Sequence, residues 1–279
     1  MSRYEDLFAT LKSKNEGAFV PFIMLGDPDA DTSFSIIEAV IEAGADALEL
    51  GVPFSDPVAD GPTIQDSHLR ALDAGVDVDT CFGVVKRIRD TYPSLPIGLL
   101  IYGNVPFARG LDSFYSHLAK AGADSVLIPD VPVREGRPFK ESANRHGIDQ
   151  IFIAPPSASE QTIASVAAYS TGYIYAVSRL GVTGTEVESS TEGLSDIVTY
   201  LEGFHRAPAL LGFGISTPDH VANAIAAGAA GAISGSAITK IIARHCVGQH
   251  PDPRTVDDKE ALRRDLINFV SAMKAATRR

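Results

Sequence analysis

The chain has 279 residues, 45% of them hydrophobic and 21% charged, a globular balance that excludes a disordered or low-complexity protein. A net charge of −11 excludes a basic footprint for nucleic acid, and it means that an anionic ligand must be held by local backbone donors rather than by a positive field. Cys81 and Cys246 stand in no metal or redox spacing, no apolar run reaches the about 18 residues of a membrane span, and Met1-Ser2-Arg3-Tyr4-Glu5-Asp6 carries no basic-then-apolar leader; a soluble, cytoplasmic protein without membrane contacts is expected.

Tyr4, Leu7, Phe8 and Leu11 fall on one face at helical spacing and predict a helix ahead of the first strand. Short apolar runs then alternate with amphipathic stretches. Strands are expected at 18–24, 47–51, 97–102, 125–129, 150–154, 172–178, 209–213 and 230–234. Helices are expected at 32–43, 78–91, 111–121, 136–146, 159–169, 195–205, 217–227 and 259–275. Repeated strand–helix–strand units require a parallel sheet with right-handed crossovers, and strands apolar nearly throughout are those buried on both faces. An open doubly wound sheet alternates in the same way. Eight units in this length favour closure, so the expected architecture is α/β, a single (β/α)8 TIM barrel over residues 1–279 with an extra N-terminal helix.

A weak internal repeat agrees with this. Ala43-Gly44-Ala45-Asp46, Ala121-Gly122-Ala123-Asp124 and Ala227-Gly228-Ala229-Ala230 each end a helix just before a strand, although such turns are common in any α/β protein. Residues 247–258, with His250-Pro251-Asp252-Pro253, read as a loop before the last helix.

Barrel enzymes place their chemistry in the loops after the strands. Glu49 lies in an Ala/Leu strand, and with Leu48 and Leu50 facing the helices it points into the barrel near its mouth. A carboxyl group buried there without a cation has a raised pKa, which suits proton transfer near neutral pH. The alternative is a glutamate paired with a lysine, but no strand carries a lysine or arginine near its mouth. The loop that follows, Gly51-Val52-Pro53-Phe54-Ser55-Asp56-Pro57-Val58-Ala59-Asp60-Gly61-Pro62, is stiffened by its prolines. Asp60 in an Asp-Gly-Pro turn, like Asp56, is as well suited to satisfying nearby backbone amides as to catalysis.

Glycine turns end the seventh and eighth strands, at Gly212-Phe213-Gly214-Ile215-Ser216 and Ser234-Gly235-Ser236, where barrels often hold a phosphate. Small residues there also serve close helix packing. A third glycine turn, Gly181-Val182-Thr183-Gly184, opens a polar stretch that reads as a mobile flap over residues 179–192. The seven histidines are scattered, mostly on helices, and read as surface or packing residues rather than ligands. No nucleotide-loop, zinc-helix or nucleophile-elbow motif occurs, so neither a metal nor a cofactor is expected in this chain.

At these residues the chain resembles the tryptophan synthase α-subunit family. The likeness lies in the run from Leu48 to Gln65, in Gly17-Ala18-Phe19-Val20-Pro21-Phe22, in Gly181-Val182-Thr183-Gly184, in Gly212-Phe213-Gly214-Ile215-Ser216, and in the run from Gly228 to Ala237. It extends from about Arg3 to Ala276 and departs from the family at residues 247–258 and at Thr185-Glu186-Val187. The resemblance implies a lyase of tryptophan biosynthesis that splits indole-3-glycerol phosphate into indole and glyceraldehyde 3-phosphate. It makes Glu49 the general acid–base, Asp60 the group that stabilises charge at the indole N–H, and Tyr175 a pocket residue beside Glu49. Phe22, Ile64, Leu100, Tyr102, Leu127, Ile153 and Phe213 bind the substrate, Thr183 bonds Asp60 when the flap closes, and Gly184, Gly214, Ile215, Gly235 and Ser236 cradle the phosphate. It also implies an α2β2 complex in which indole passes through a tunnel to a β subunit that carries pyridoxal phosphate. The face bearing Pro53, Asp56, Pro57, Asn104, Phe107 and Pro132 would then meet that partner. Read alone, Phe107 is as well suited to packing on its own helix as to anchoring an interface. A stand-alone lyase, a non-catalytic activator of the β subunit, and another phosphosugar barrel enzyme are the competing expectations.

Overall fold

The computed structural model describes residues 2–156, 158–177, 194–202 and 207–279. The expected flap, with Thr183 and Gly184, lies outside the described residues.

Helix α1 (Arg3–Ser13) starts from a capping box: the Ser2 hydroxyl accepts from the Glu5 amide, and the Glu5 carboxylate accepts from the Ser2 amide. Its buried Tyr4 closes the N-terminal end of the barrel, with its hydroxyl 2.9 Å from Ser125 Oγ. The wall is made of β1 (Ala18–Met24), β2 (Leu48–Gly51), β3 (Ile97–Leu100), β4 (Ser125–Leu127), β5 (Asp149–Ile151), β6 (Ile153–Ala154), β7 (Ile174–Val177), β8 (Ala209–Gly212) and β9 (Gly231–Ser234). Every pair among them is parallel, in the order β5-β4-β3-β2-β1-β9-β8-β7-β6.

The two ends of that order, β5 and β6, are halves of the single fifth strand expected at 150–154. The break falls at Phe152, whose amide turns to Ser170 Oγ at 3.3 Å while its carbonyl still accepts from the Tyr175 amide at 3.1 Å. The eight-stranded ring expected from the sequence is thereby closed.

Around it run α2 (Ala30–Glu42), α3 (Pro62–Asp73), α4 (Val78–Thr91), α5 (Asn104–Arg109), α6 (Leu111–Ala121), α7 (Arg137–Arg145), α8 (Glu160–Tyr169), α9 (Leu194–Glu202), α10 (Pro218–Ala226), α11 (Ser236–His245) and α12 (Lys259–Ala275). Asp29, Asp77, Ser159, Thr217 and Asp258 cap five of them through their side chains. Among the described residues, three α-helices were not expected. In α3 a proline at the first helical position hides a polar, weakly periodic run; α5 is a single short stretch containing Pro106; and α11 follows its strand after one glycine. The segment expected as a loop at 247–258 contains a small antiparallel pair, β10 (Cys246–Val247) with β11 (Thr255–Val256). No helix among the described residues is long and apolar enough to cross a membrane.

Candidate active site

Glu49 sits within β2 between Leu48 and Leu50, and all three are no more than 2% exposed. Its Cα partners are Phe22 in β1 and Gly98 in β3. Loss of solvent is what raises its pKa, to about 8; a hydrogen bond from Tyr173 Oη to Oε1 at 3.0 Å opposes the rise, and the charge of Asp60 adds to it. The sequence reading did not single out Tyr173. It lies two residues before Tyr175, on the same side of its strand, and that period was the available signal.

Asp60 resolves differently from a turn-capping aspartate. Its own amide makes the turn, donating to Pro57 O at 3.0 Å, while the buried carboxylate reaches across the mouth. Oδ2 accepts from Tyr102 Oη at 2.7 Å and lies 3.2 Å from His68 Nε2, and the Asp60 carbonyl accepts from Gln65 Nε2 at 2.6 Å. Tyr102 Oη in turn accepts from the Ala59 amide at 3.0 Å. His68, read as a surface or packing histidine, is buried in α3 and lies 3.2 Å from Asp60 Oδ2, eight residues from it in the chain; the helix that carries it was not expected. Asp56 is exposed and bonds locally to Ser55, apart from this network.

Tyr175 is buried within β7 and meets Phe213 edge to face, with ring centroids 6.2 Å apart. Burial first, then the charges of Glu49 and Asp60, hold its hydroxyl well above the usual tyrosine range. The ring needs Gly212 beside it, since a Cβ there would fall 2.2 Å from Tyr175 Oη. The chain then leaves β8 through Phe213 at φ +66° and Gly214 at φ +72°. A left-handed conformation is strained for a bulky residue and is tolerated where it aims a side chain.

The expected apolar residues other than Ile64 lie in or directly after barrel strands. Leu100 ends β3 and is the Cα partner of Leu127 at the end of β4, while Ile153 in β6 pairs with Tyr175. Ile64 is buried in the first turn of α3. Phe22 links the two halves of the mouth: a Cβ at Gly51 would fall 2.6 Å from its ring, and one at Gly235 would lie 3.3 Å from it.

On the far side of β1 from the acidic loop, Ser234 Oγ donates to Ile215 O at 2.6 Å and ties the two glycine turns together. Gly235 caps α11 without a side-chain bond and Ser236 is its first residue, so the amides of that helix's first turn follow directly on Ser234, which is bonded to Ile215. A short extra helix after the last barrel strand, with its N-terminus at the mouth, is the usual barrel arrangement for a phosphate. Among the described residues no group of three His, Cys, Asp or Glu side chains could hold a metal ion.

On the face expected to meet a partner, Phe107 is 76% exposed and Val58 74% exposed, with Asp56, Asn104 and Pro132 also exposed; Pro53 is buried instead. Phe107 therefore does not pack on its own helix.

The family model described as tryptophan synthase alpha chain matches residues 8–278. The tryptophan synthase alpha chain of Corynebacterium efficiens is 66% identical over 279 residues, covering 100% of both chains, and that of Escherichia coli is 53% identical over 278 residues with the same coverage. Among solved structures, Mycobacterium tuberculosis tryptophan synthase superposes with a TM-score of 0.84 at 28% identity, covering 100% of this chain and 99% of that one. Tryptophan synthase subunit alpha of Legionella pneumophila does so with a TM-score of 0.84 at 28% identity, covering 99% and 98%. The chain belongs to the tryptophan synthase alpha chain family, lyases of tryptophan biosynthesis.

Proposed function

We propose that the chain cleaves indole-3-glycerol phosphate by a retro-aldol reaction into indole and glyceraldehyde 3-phosphate, with Glu49 and Asp60 dividing the proton and charge work. The observation that carries this reading is a buried glutamate with a pKa of about 8 at the same barrel mouth as a second, hydrogen-bonded aspartate. Two carboxyl groups in unlike surroundings take unlike roles.

In its protonated form Glu49 gives a proton to C3 of the indole ring. The positive charge that develops at the ring nitrogen is met by Asp60. The resulting Glu49 carboxylate then takes the proton of the glycerol hydroxyl next to the ring, the bond between C3 and that carbon breaks, and the electron pair returns to the ring. Indole and the aldehyde leave, and Glu49 is protonated again. A group titrating near 8 can both give and take a proton near neutral pH. Tyr175 would shape the pocket beside Glu49; Phe22, Ile64, Leu100, Tyr102, Leu127, Ile153 and Phe213 would hold the indole; and Gly214, Ile215, Gly235 and Ser236 would hold the phosphate, with Gly184 and Thr183 joining from outside the described residues.

The exposed Phe107 and Val58 support an interface at this mouth with a tryptophan synthase β subunit, in an α2β2 complex, with pyridoxal phosphate carried by that partner. The test is indole release from indole-3-glycerol phosphate by wild type, Glu49→Gln and Asp60→Asn, with and without added β subunit. Wild-type rates in both variants would remove the reading; a wild type that produces no indole in either condition would favour an activator role.

A further inference from the structure

We infer that His68 is a positioning residue for Asp60: a neutral imidazole, locked in one tautomer by the backbone of the acidic loop, that donates to the carboxylate and sets its direction. The inference rests on the role proposed for Asp60.

His68 is 2% exposed and lies in the middle of α3. Its Nδ1 accepts from the Phe54 amide at 3.0 Å. A backbone amide can only donate, so Nδ1 carries no proton and the ring's hydrogen sits on Nε2. That hydrogen points at Asp60 Oδ2, 3.2 Å away, on the oxygen that also accepts from Tyr102 Oη. Two donors arriving on one carboxylate oxygen from β3's loop and from α3 define the plane of the carboxyl group.

The imidazole is itself held. Its ring lies 6.3 Å from that of Tyr102, which stacks on Phe54 at 5.3 Å, so the two rings that reach Asp60 pack on each other and on Phe54. The helix beneath is pinned by Arg70, whose Nε and Nη2 bond the two oxygens of Asp27 at 2.6 and 2.7 Å. Turning the ring over would leave the Phe54 amide facing a carbon atom. Protonating it would set an N–H against an N–H.

An imidazolium would form a salt bridge with Asp60 and cancel the charge that the indole nitrogen is proposed to meet. The Phe54 amide selects the neutral form, so His68 orients the carboxylate and leaves its charge in place. The acidic loop thus supplies both the catalytic carboxylate and, six residues earlier at Phe54, the group that fixes its orienting partner.

Indole release by full-length wild type, His68→Leu and His68→Gln tests this, run beside Glu49→Gln and Asp60→Asn. The expected result for His68→Leu is a kcat lower by about 10-fold or more with KM within about 3-fold, since a displaced catalytic group costs rate rather than phosphate affinity. His68→Gln, whose amide nitrogen reaches the position of Nε2, recovers kcat to within about 5-fold of wild type. Histidine 15N resonances of the wild-type protein should show Nε2 protonated and Nδ1 bare at neutral pH. The inference is overturned by wild-type kcat in His68→Leu, by equal losses in the Leu and Gln variants, by a change confined to KM, or by an imidazolium or Nδ1-protonated ring; the resonances decide the matter should His68→Leu fail to fold. Full activity in Asp60→Asn and Glu49→Gln would instead remove the underlying reading, whatever the His68 variants do.

Discussion

Tyr173 donates its hydroxyl hydrogen to Glu49 Oε1 at 3.0 Å, from a position 124 residues away in the chain and with both side chains buried. The bond favours the ionised glutamate and so works against the burial that raises its pKa to about 8. Removing it with Tyr173→Phe shifts Glu49 further upward. The limb of the pH–rate profile for indole release that belongs to Glu49 should move from near 8 to higher pH. A limb that stays in place, or moves down, would show that this hydroxyl does not tune the acid.

The same burial predicts a pH-dependent stability. The ordinary glutamate value is 4.5 and the folded one about 8, so between them the folded chain holds a proton that the unfolded chain has released. Stability therefore falls as pH rises from about 4.5 to about 8, and the whole cost is present above that window. Glu49→Gln removes a cost on the order of 3–5 kcal/mol at pH 9 and almost none near pH 4.5. Urea unfolding of both proteins at the two pH values measures it. A stability difference independent of pH contradicts the assignment.

On the far side of β1 from Glu49's strand, Ser236 begins α11 directly after Gly235. Ser236→Asp places a negative charge at that helix N-terminus, which the helix dipole favours by about 0.3–1 kcal/mol but a bound phosphate opposes. KM for indole-3-glycerol phosphate should rise about 10-fold or more while the melting temperature holds or increases. An unchanged KM would place the phosphate elsewhere.

Arg70 and Asp27 are buried partners, with Asp27 fully enclosed. Arg70→Leu leaves that aspartate without its cation and should cost about 3–5 kcal/mol, whereas pairing it with Asp27→Asn should restore a large part of the loss. Denaturant unfolding of the single and double variants gives the comparison. Additive losses would mean that the pair is not coupled.

The parallel barrel was legible because its signal is local and repeated. An apolar run such as Ala18–Met24 needs burial on both faces whatever lies next to it, and a helix between two such runs permits only a parallel pairing. The inward direction of Glu49 was legible for the same reason, since alternation along a strand depends on nothing beyond its neighbours. The break at Phe152 was not, because Ile151, Phe152 and Ile153 are alike in being apolar and the choice between a strand partner and Ser170 is made by the end of α8 nearby.

The amino-acid sequence by itself determined the ring of strands, the acid within β2 and the glycine turns at the end of β8 and β9. These follow from side-chain period and from the few conformations open to a short turn. Only the tertiary structure decided what each acid touches: Tyr173 against Glu49, and Tyr102 and His68 against Asp60. Tyr173 and Tyr102 come from segments 124 and 42 residues away, whose meeting with the acids is set by burial of the whole chain, whereas His68 lies only eight residues after Asp60, on the helix that follows its loop. A buried carboxyl group takes its character from what surrounds it in space.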